Sequence, residues 1–248
     1  MSHIYSFGCV ALFLLIIKRF FSEQKSNYIL LAAFVYGLII LLRPVNGIII
    51  LAIQFLAASS YKLLSGLSYI LYTRFLVLKS IILCLAIVSL QPIIYKVAVD
   101  SFFVYSYEYE SFVFLDPHFI DFLFSYKKGL FIYSPILLIA LSGVYFIFKR
   151  NRFEFYTLFI FLVTLTYILS AWWNWWYGGS FSSRVFLEYI PLFAILLGIT
   201  LNSIRKRSFK TIYISAILFC IVLCQIQTYQ YRYYQIHWEN MTKEKYWD

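Results

Sequence analysis

The chain has 248 residues, of which 62% are hydrophobic and only 13% are charged. A soluble domain has about 45–50% apolar and about 25% charged residues, so lipid must solvate much of this protein. A formal net charge of +10 would suggest nucleic-acid binding in a soluble protein. Here the basic residues lie in short clusters between apolar segments, and the positive-inside rule explains this distribution better.

Eight apolar segments predict the architecture. A helix of about 20 apolar residues crosses the hydrocarbon core of a membrane. We therefore predict an all-α polytopic membrane protein, in which residues 1–248 form a single transmembrane domain with about eight transmembrane helices. The predicted spans are approximately residues 4–17, 28–42, 45–58, 75–97, 129–148, 153–173, 185–201 and 211–227. An outward-facing loop (residues 100–128) and an outward tail (residues 228–248) lie outside the spans.

Two prolines predict interruptions. Pro44 lacks a backbone donor and disfavours helix at Arg43, so the second and third spans are interpreted as two short helices. The alternative is one span with a broken, re-entrant piece. Pro92 predicts a kink in the fourth span.

The distribution of charge predicts the orientation. The loops after the first, third, fifth and seventh spans hold most of the basic residues and only two acidic ones, Glu23 and Glu154. The basic side is expected to be the cytoplasm, so both termini and the loop of residues 100–128 face outward. Because an outward start would have to cross the membrane without a leader, we expect the chain to be the C-terminal portion of a longer protein.

The outward loop is acidic and rich in tyrosine. Carboxylates accept hydrogen bonds from sugar hydroxyls, and aromatic rings offer flat apolar faces for sugar rings. Asp100, Tyr107 and Glu108 are therefore candidate contacts for a sugar or an acceptor. The alternative is an interfacial aromatic belt followed by a solvated loop. His3, at the outward end of the first span, is a further candidate, and the alternative is a structural histidine.

Lys127 and Lys128 are adjacent bases on the outward side. Ammonium groups near the interface attract lipid phosphate, which makes both lysines candidate ligands for a lipid phosphate. The alternative is that they anchor the next helix by snorkelling.

A segment rich in tryptophan and glycine follows the sixth span. We predict that Trp175, Trp176 and Tyr177 contact a sugar or an acceptor, and that Gly178-Gly179 forms a tight turn. Arg184 suits a phosphate, because its guanidinium gives planar bidentate contacts. The alternative for Arg184 is an ion pair with Glu188, four residues later.

These blocks, in this order, resemble the GT-C superfamily of membrane glycosyltransferases, relatives of the dolichyl-phosphate-mannose protein mannosyltransferases. Two early blocks carry the resemblance, His3-Ile4-Tyr5-Ser6-Phe7 and Leu42-Arg43-Pro44-Val45-Asn46. The later ones are Tyr105-Ser106-Tyr107, Phe112, Asp116-Pro117, Leu123-Phe124-Ser125, Lys128-Gly129-Leu130-Phe131, Tyr133-Ser134-Pro135, Trp176-Tyr177-Gly178-Gly179-Ser180-Phe181, Arg184, Glu188-Tyr189 and Pro191.

The resemblance implies transfer of a sugar from a polyprenyl-phosphate donor to an acceptor on the outer face of the bacterial inner membrane. The superfamily's catalytic carboxylate lies in the first outward loop, a block this chain lacks. The catalytic residue is therefore unknown and expected upstream, on a partner polypeptide if the gene is split. No cofactor or metal site is evident. The alternatives are a lipid-linked oligosaccharide flippase or transporter, against which the scarcity of charged residues within the spans weighs, and a non-catalytic membrane scaffold.

Overall fold

The computed structural model describes residues 2–104 and 110–247. Helices account for 76% of the chain, and the described residues form no β-strand beyond an isolated bridge between Phe112 and Trp172. The predicted all-α class is therefore confirmed. The chain divides into two compact units, unit 1 (Met1–Glu110 and Asn151–Leu162) and unit 2 (Ser111–Arg150 and Val163–Asp248). The single transmembrane domain stays a prediction.

Unit 1 is built on the first two helices. Its helices are α1 (Ser2–Glu23), α2 (Ser26–Leu42), a 3-10 helix (Pro44–Ala52) that continues into α3 (Ile53–Ala57), α4 (Ser60–Tyr72), α5 (Leu76–Val88), α6 (Leu90–Val99) and the first part of α11 (Arg152–Ser170). Helix α1 buries Val10, Leu14, Ile17 and Phe21, a spacing of three to four residues that places one apolar face inward. Helix α2 packs closely on α5, where a Cβ on Gly37 would lie 3.0 Å from Ile87 Cβ.

Helix α4 was missed by the sequence analysis, which assigned its residues to a loop. Ser59 caps its start by accepting a hydrogen bond from the Lys62 amide at 3.2 Å. Near the end of α1, Gln24 donates a hydrogen bond to Ser65 Oγ at 2.8 Å, and Gly66 lies against the ring of Phe21. The helix is amphipathic and mostly exposed, so a search for long apolar segments does not find it.

Unit 2 contains the remaining helices. They are α7 (Phe119–Phe124), α8 (Leu130–Tyr133), α9 (Pro135–Ala140), α10 (Ser142–Arg150), the end of α11, a 3-10 helix (Arg184–Tyr189) that continues into α12 (Ile190–Ser203), α13 (Arg207–Arg232) and α14 (Lys243–Trp247). The loop before α7 pairs with the end of α11, because the Val113 amide donates to Ala171 O at 2.6 Å and the Trp173 amide donates to Ser111 O at 3.1 Å.

The described part of the chain has five helices that are long and apolar enough to cross a membrane, which supports a membrane protein but does not confirm the predicted number of eight. They are Ser2–Glu23, Leu76–Val99, Arg152–Ser170, Arg184–Ser203 and Arg207–Arg232. A sixth is added if Pro44–Ala57 and Ser60–Tyr72, bent by 119°, count as one span.

The remaining predicted spans are short or broken, and helices extend into the predicted tail. Helix α2 has 17 residues. The segment of residues 129–148 is interrupted at Ser134, with φ −138° and ψ 61°, because Pro135 disfavours helical backbone at the residue before it. Helix α13 continues to Arg232, past residue 228 where the predicted outward tail begins, and the outward position of this tail stays a prediction.

Candidate functional site

A sharp turn in unit 2 places two lysines side by side. After α7, the Gly129 amide donates to Ser125 O at 2.7 Å, and a Cβ on Gly129 would lie 2.5 Å from the Ser125 nitrogen. Glycine permits this close approach of backbone to backbone. Lys127 and Lys128 lie inside the turn, just before α8.

Lys128 is buried, with 2% of its surface exposed. Its ammonium donates to Trp176 O at 3.2 Å, to Ser180 Oγ at 3.0 Å and to Gly178 O. An ammonium has three donors, so these acceptors use all of them. Lys128 therefore holds the tryptophan–glycine loop (residues 174–183) in place and has no donor left for a phosphate.

The surroundings of Lys128 change its protonation. Burial, reinforced by the positive charges of Arg184 and Lys127, lowers the pKa of Lys128 to about 7, because the charged form loses hydration and is repelled. Arg184 is thus close enough to act electrostatically on Lys128. We call Lys127, Lys128, Trp176, Ser180 and Arg184 the lysine–tryptophan site.

Lys127 covers the ring of Trp176. Its Nζ lies 3.3 Å from the ring centroid, a distance typical of a cation–π interaction. Burial lowers the pKa of Lys127, and the negative charge of Glu239 opposes this shift. Lys127 as a whole is only partly buried.

The tryptophan–glycine loop turns just before the two glycines, where the Tyr177 amide donates to Asn174 O at 2.8 Å. Tyr177 and Gly178 have left-handed backbone, with φ of 55° and 63°. The Tyr177 hydroxyl donates to Leu169 O at 2.7 Å. Trp175 is 8% exposed and stacks on His118, with ring centroids 5.9 Å apart. Trp175 and Tyr177 therefore shape the loop, and little of the Trp175 ring is open to a sugar.

Arg184 is exposed at the start of the 3-10 helix, whereas Glu188 is 0% exposed. A 3-10 helix has 3.0 residues per turn, so residues four apart lie about 120° apart around its axis and do not share a face. The alternative of an i, i+4 ion pair between them assumed an α-helix, and the 3-10 geometry does not favour it. Arg184 is exposed, and its positive charge acts on Lys128.

The acidic candidates of the sequence analysis are Asp100 and Glu108. Asp100 lies in unit 1, where it ends α6 and forms an ion pair with Lys96 at 2.5 Å. Its side chain is 90% exposed, which is typical of a solvated helix end. Tyr107 and Glu108 lie outside the described residues.

His3 belongs to a second cluster, in unit 1. Arg43 Nη1 lies 2.6 Å from His3 Nδ1, and the buried Asn46 donates to Ser6 Oγ at 2.8 Å. The interrupted backbone at Arg43 turns the end of α2 back toward the start of α1. The structure thus brings together the two early blocks, residues 3–7 and 42–46, that lie far apart in the sequence.

The C-terminal tail contributes residues that the sequence analysis missed. Tyr231, Ile236, His237 and Trp238 line a cleft with Lys127 and Lys128 that is too narrow for a water molecule. The Trp247 indole donates to Tyr126 Oη at 3.1 Å, which holds α14 over the lysine turn. In the sequence, only the high proportion of aromatic residues in the tail indicated that it could contribute to a site.

The fold defines an all-helical protein with several helices able to cross a membrane. Within residues 2–104 and 110–247, no group of three or more His, Cys, Asp or Glu side chains is placed to hold a metal ion. In comparisons with known proteins, no family model, curated protein or solved structure matches the chain.

Proposed function

We propose that the chain is part of a GT-C-type membrane glycosyltransferase, which transfers a sugar from a polyprenyl-phosphate donor to an acceptor. The observation that carries the proposal is the lysine–tryptophan site. It joins two sequence blocks, Lys127–Lys128 and residues 176–184, through hydrogen bonds between residues about 50 positions apart. These are the blocks whose order resembles the superfamily.

The charges of the site suit the departing lipid phosphate. A leaving phosphate gains negative charge as the sugar is transferred, and fixed positive charge stabilises it. Arg184 is exposed and Lys127 is partly exposed, whereas Lys128 uses its donors on the loop. We therefore assign phosphate binding to Arg184 and Lys127, and a positioning role to Lys128.

Attack by an acceptor hydroxyl requires a base, usually a carboxylate. Neither Asp100, paired with Lys96, nor the fully buried Glu188 is assigned this role. We propose that the base belongs to a segment upstream of this sequence, or to a partner polypeptide, so that activity requires both parts.

Arg184→Ala is expected to weaken donor binding. A charge-assisted hydrogen bond contributes roughly 1.5–3 kcal/mol, so we expect the Kd for undecaprenyl phosphate to rise roughly 10- to 100-fold. The measurement is binding of undecaprenyl phosphate to the purified full chain in detergent, followed by donor KM in the complete transferase.

Arg74→Ala is the matched control, since Arg74 is equally exposed, lies between α4 and α5, and lies over the ring of Phe75. It removes the same charge outside the lysine–tryptophan site and should leave the Kd unchanged. An unchanged Kd and an unchanged turnover in Arg184→Ala would exclude the role assigned to Arg184.

We further propose that the chain lies in the bacterial inner membrane with both termini outward. The support is the excess of basic residues in alternate loops. In whole cells, a membrane-impermeant maleimide is expected to label Glu239→Cys, and to label Lys206→Cys only after the membrane is opened. Both positions are exposed, and the parent chain gives the background from its four native cysteines. Labelling of both variants in intact cells would contradict the proposed topology.

A further inference from the structure

An open groove runs along the surface of unit 2, between helices α9 and α10 on one side and the start of α13 on the other. Its volume is about 440 Å³, within the roughly 300–1,000 Å³ of small-molecule sites. It is lined by Leu138, Ile139, Ser142, Ile204, Phe209, Ile212, Tyr213 and Ala216. Phe209 and Ile212 are more than half exposed, so the groove is open at the protein surface.

The groove offers hydrocarbon and almost no hydrogen bonds. Its two hydroxyl groups are used within the protein. Tyr213 donates to Ile139 O at 3.1 Å, and Ser142 Oγ lies 3.0 Å from Tyr213 Oη and 3.1 Å from Thr200 Oγ1. A polar ligand placed there would lose hydration without finding partners. An acyl chain gives up no hydrogen bonds to water on binding there, because its surface is apolar.

One end of the groove is strongly basic. Ile204 lines the groove, and Arg205, Lys206, Arg207 and Lys210 follow it, all exposed. Lys206 Nζ lies 5.8 Å from the ring centroid of Phe209, another residue of the groove wall. Residues 203–216 contain four basic and no acidic side chains.

We propose that this groove is a binding site for an anionic phospholipid. One acyl chain lies along the apolar wall, and the phosphate meets Arg205 and Lys206 at the basic end. A zwitterionic lipid fits the wall equally well but gains less from the cations, since basic residues at a membrane surface favour anionic lipid. The site is separate from the lysine–tryptophan site and does not depend on the proposed function.

The test uses the purified full chain in detergent, with phosphatidylglycerol, phosphatidylcholine and inorganic phosphate as probes, and measures bound lipid per protein against concentration. We expect phosphatidylglycerol to bind at least tenfold more tightly than phosphatidylcholine. Each basic residue at an anionic surface contributes about fivefold, so Arg205→Gln combined with Lys206→Gln should weaken phosphatidylglycerol about 25-fold and phosphatidylcholine little.

The control combines Lys62→Gln with Lys79→Gln, which removes the same charge from exposed positions of unit 1. A second variant, Ile212→Trp, fills the groove from an exposed position and should weaken both lipids. The proposal is overturned by equal affinity for the two lipids, by an equal effect of the control pair, by unchanged binding in Ile212→Trp, or by inorganic phosphate that displaces phosphatidylglycerol at millimolar concentration.

Discussion

Gly143→Ala is expected to destabilise unit 2. Gly143 lies in α10 where it meets α12, and an added Cβ would lie 2.5 Å from Leu196 O and 2.9 Å from Leu196 C. These are backbone atoms, so no side chain can rotate away and the two helices must move apart. Adding a methyl group to a packed interior costs roughly 1–3 kcal/mol, and small residues are what permit such close contacts between membrane helices. The measurement is the midpoint of thermal unfolding in detergent.

Gly198→Ala provides the control on the opposing helix. Gly198 lies in α12, two residues after Leu196, and an added Cβ would meet nothing within 4 Å. Alanine is favoured over glycine in a helix by roughly 0.5–1 kcal/mol, so this variant should match or exceed the parent in stability. Equal midpoints for Gly143→Ala and Gly198→Ala would show that α10 and α12 are not packed this closely.

The long helices could be predicted because their signal is local. Length and hydropathy of a segment are set by its own residues, and they identified the apolar segments that became α1, α11 and α13. The break at Arg43–Pro44 could also be predicted, because the proline ring restricts the residue before it whatever surrounds the chain. For these helices and for this break, the residues of one short segment determine the structure.

Two features of the fold were not predicted, because neither is a continuous apolar helix. Helix α4 is amphipathic and lies against the end of α1, so its apolar content is too low for a spanning helix. The segment of residues 129–148 is apolar throughout, yet it breaks at Ser134 and again after Ala140. Pro135 disfavours helical backbone at Ser134, whereas the length and hydropathy of the segment predict one continuous helix.

The roles predicted for the residues of the candidate site stay predictions, and the structure shows only where the described ones lie and what they contact. Lys127, Lys128 and Arg184 were each assigned to a phosphate from charge alone. In the structure, Lys128 donates hydrogen bonds to three acceptors of the tryptophan–glycine loop, and Trp175 is buried against His118. Charge and aromatic content locate a site in a sequence, but burial decides which side chains remain available, and burial depends on the whole fold.

Lys128→Met is expected to destabilise the tryptophan–glycine loop. The methionine side chain is similar in length, but the Trp176 and Gly178 carbonyls and the Ser180 hydroxyl lose their donor. A buried polar group left without a partner costs roughly 1–3 kcal/mol, so the unfolding midpoint should fall, and trypsin should cleave after Arg184 more readily. Lys243→Met is the control, since Lys243 is exposed in α14. An equal midpoint in the two variants would show that Lys128 does not hold the loop.

The same variant has a defined pH dependence. The pKa of Lys128 is about 7 in the folded chain, against the ordinary lysine pKa of 10.5 in the unfolded chain. Between these two values the unfolded state binds more protons, so the free energy of unfolding of the parent chain rises with pH across this window. Below about pH 7, Lys128 is protonated in both the folded and the unfolded chain, and burial of its charge lowers the free energy of unfolding by the full amount. Lys128→Met lacks this titration, so its deficit relative to the parent should grow from pH 6 to pH 9. A deficit that shrinks with rising pH would mean that Lys128 is stabilised as the ammonium, with a pKa above that of a free lysine.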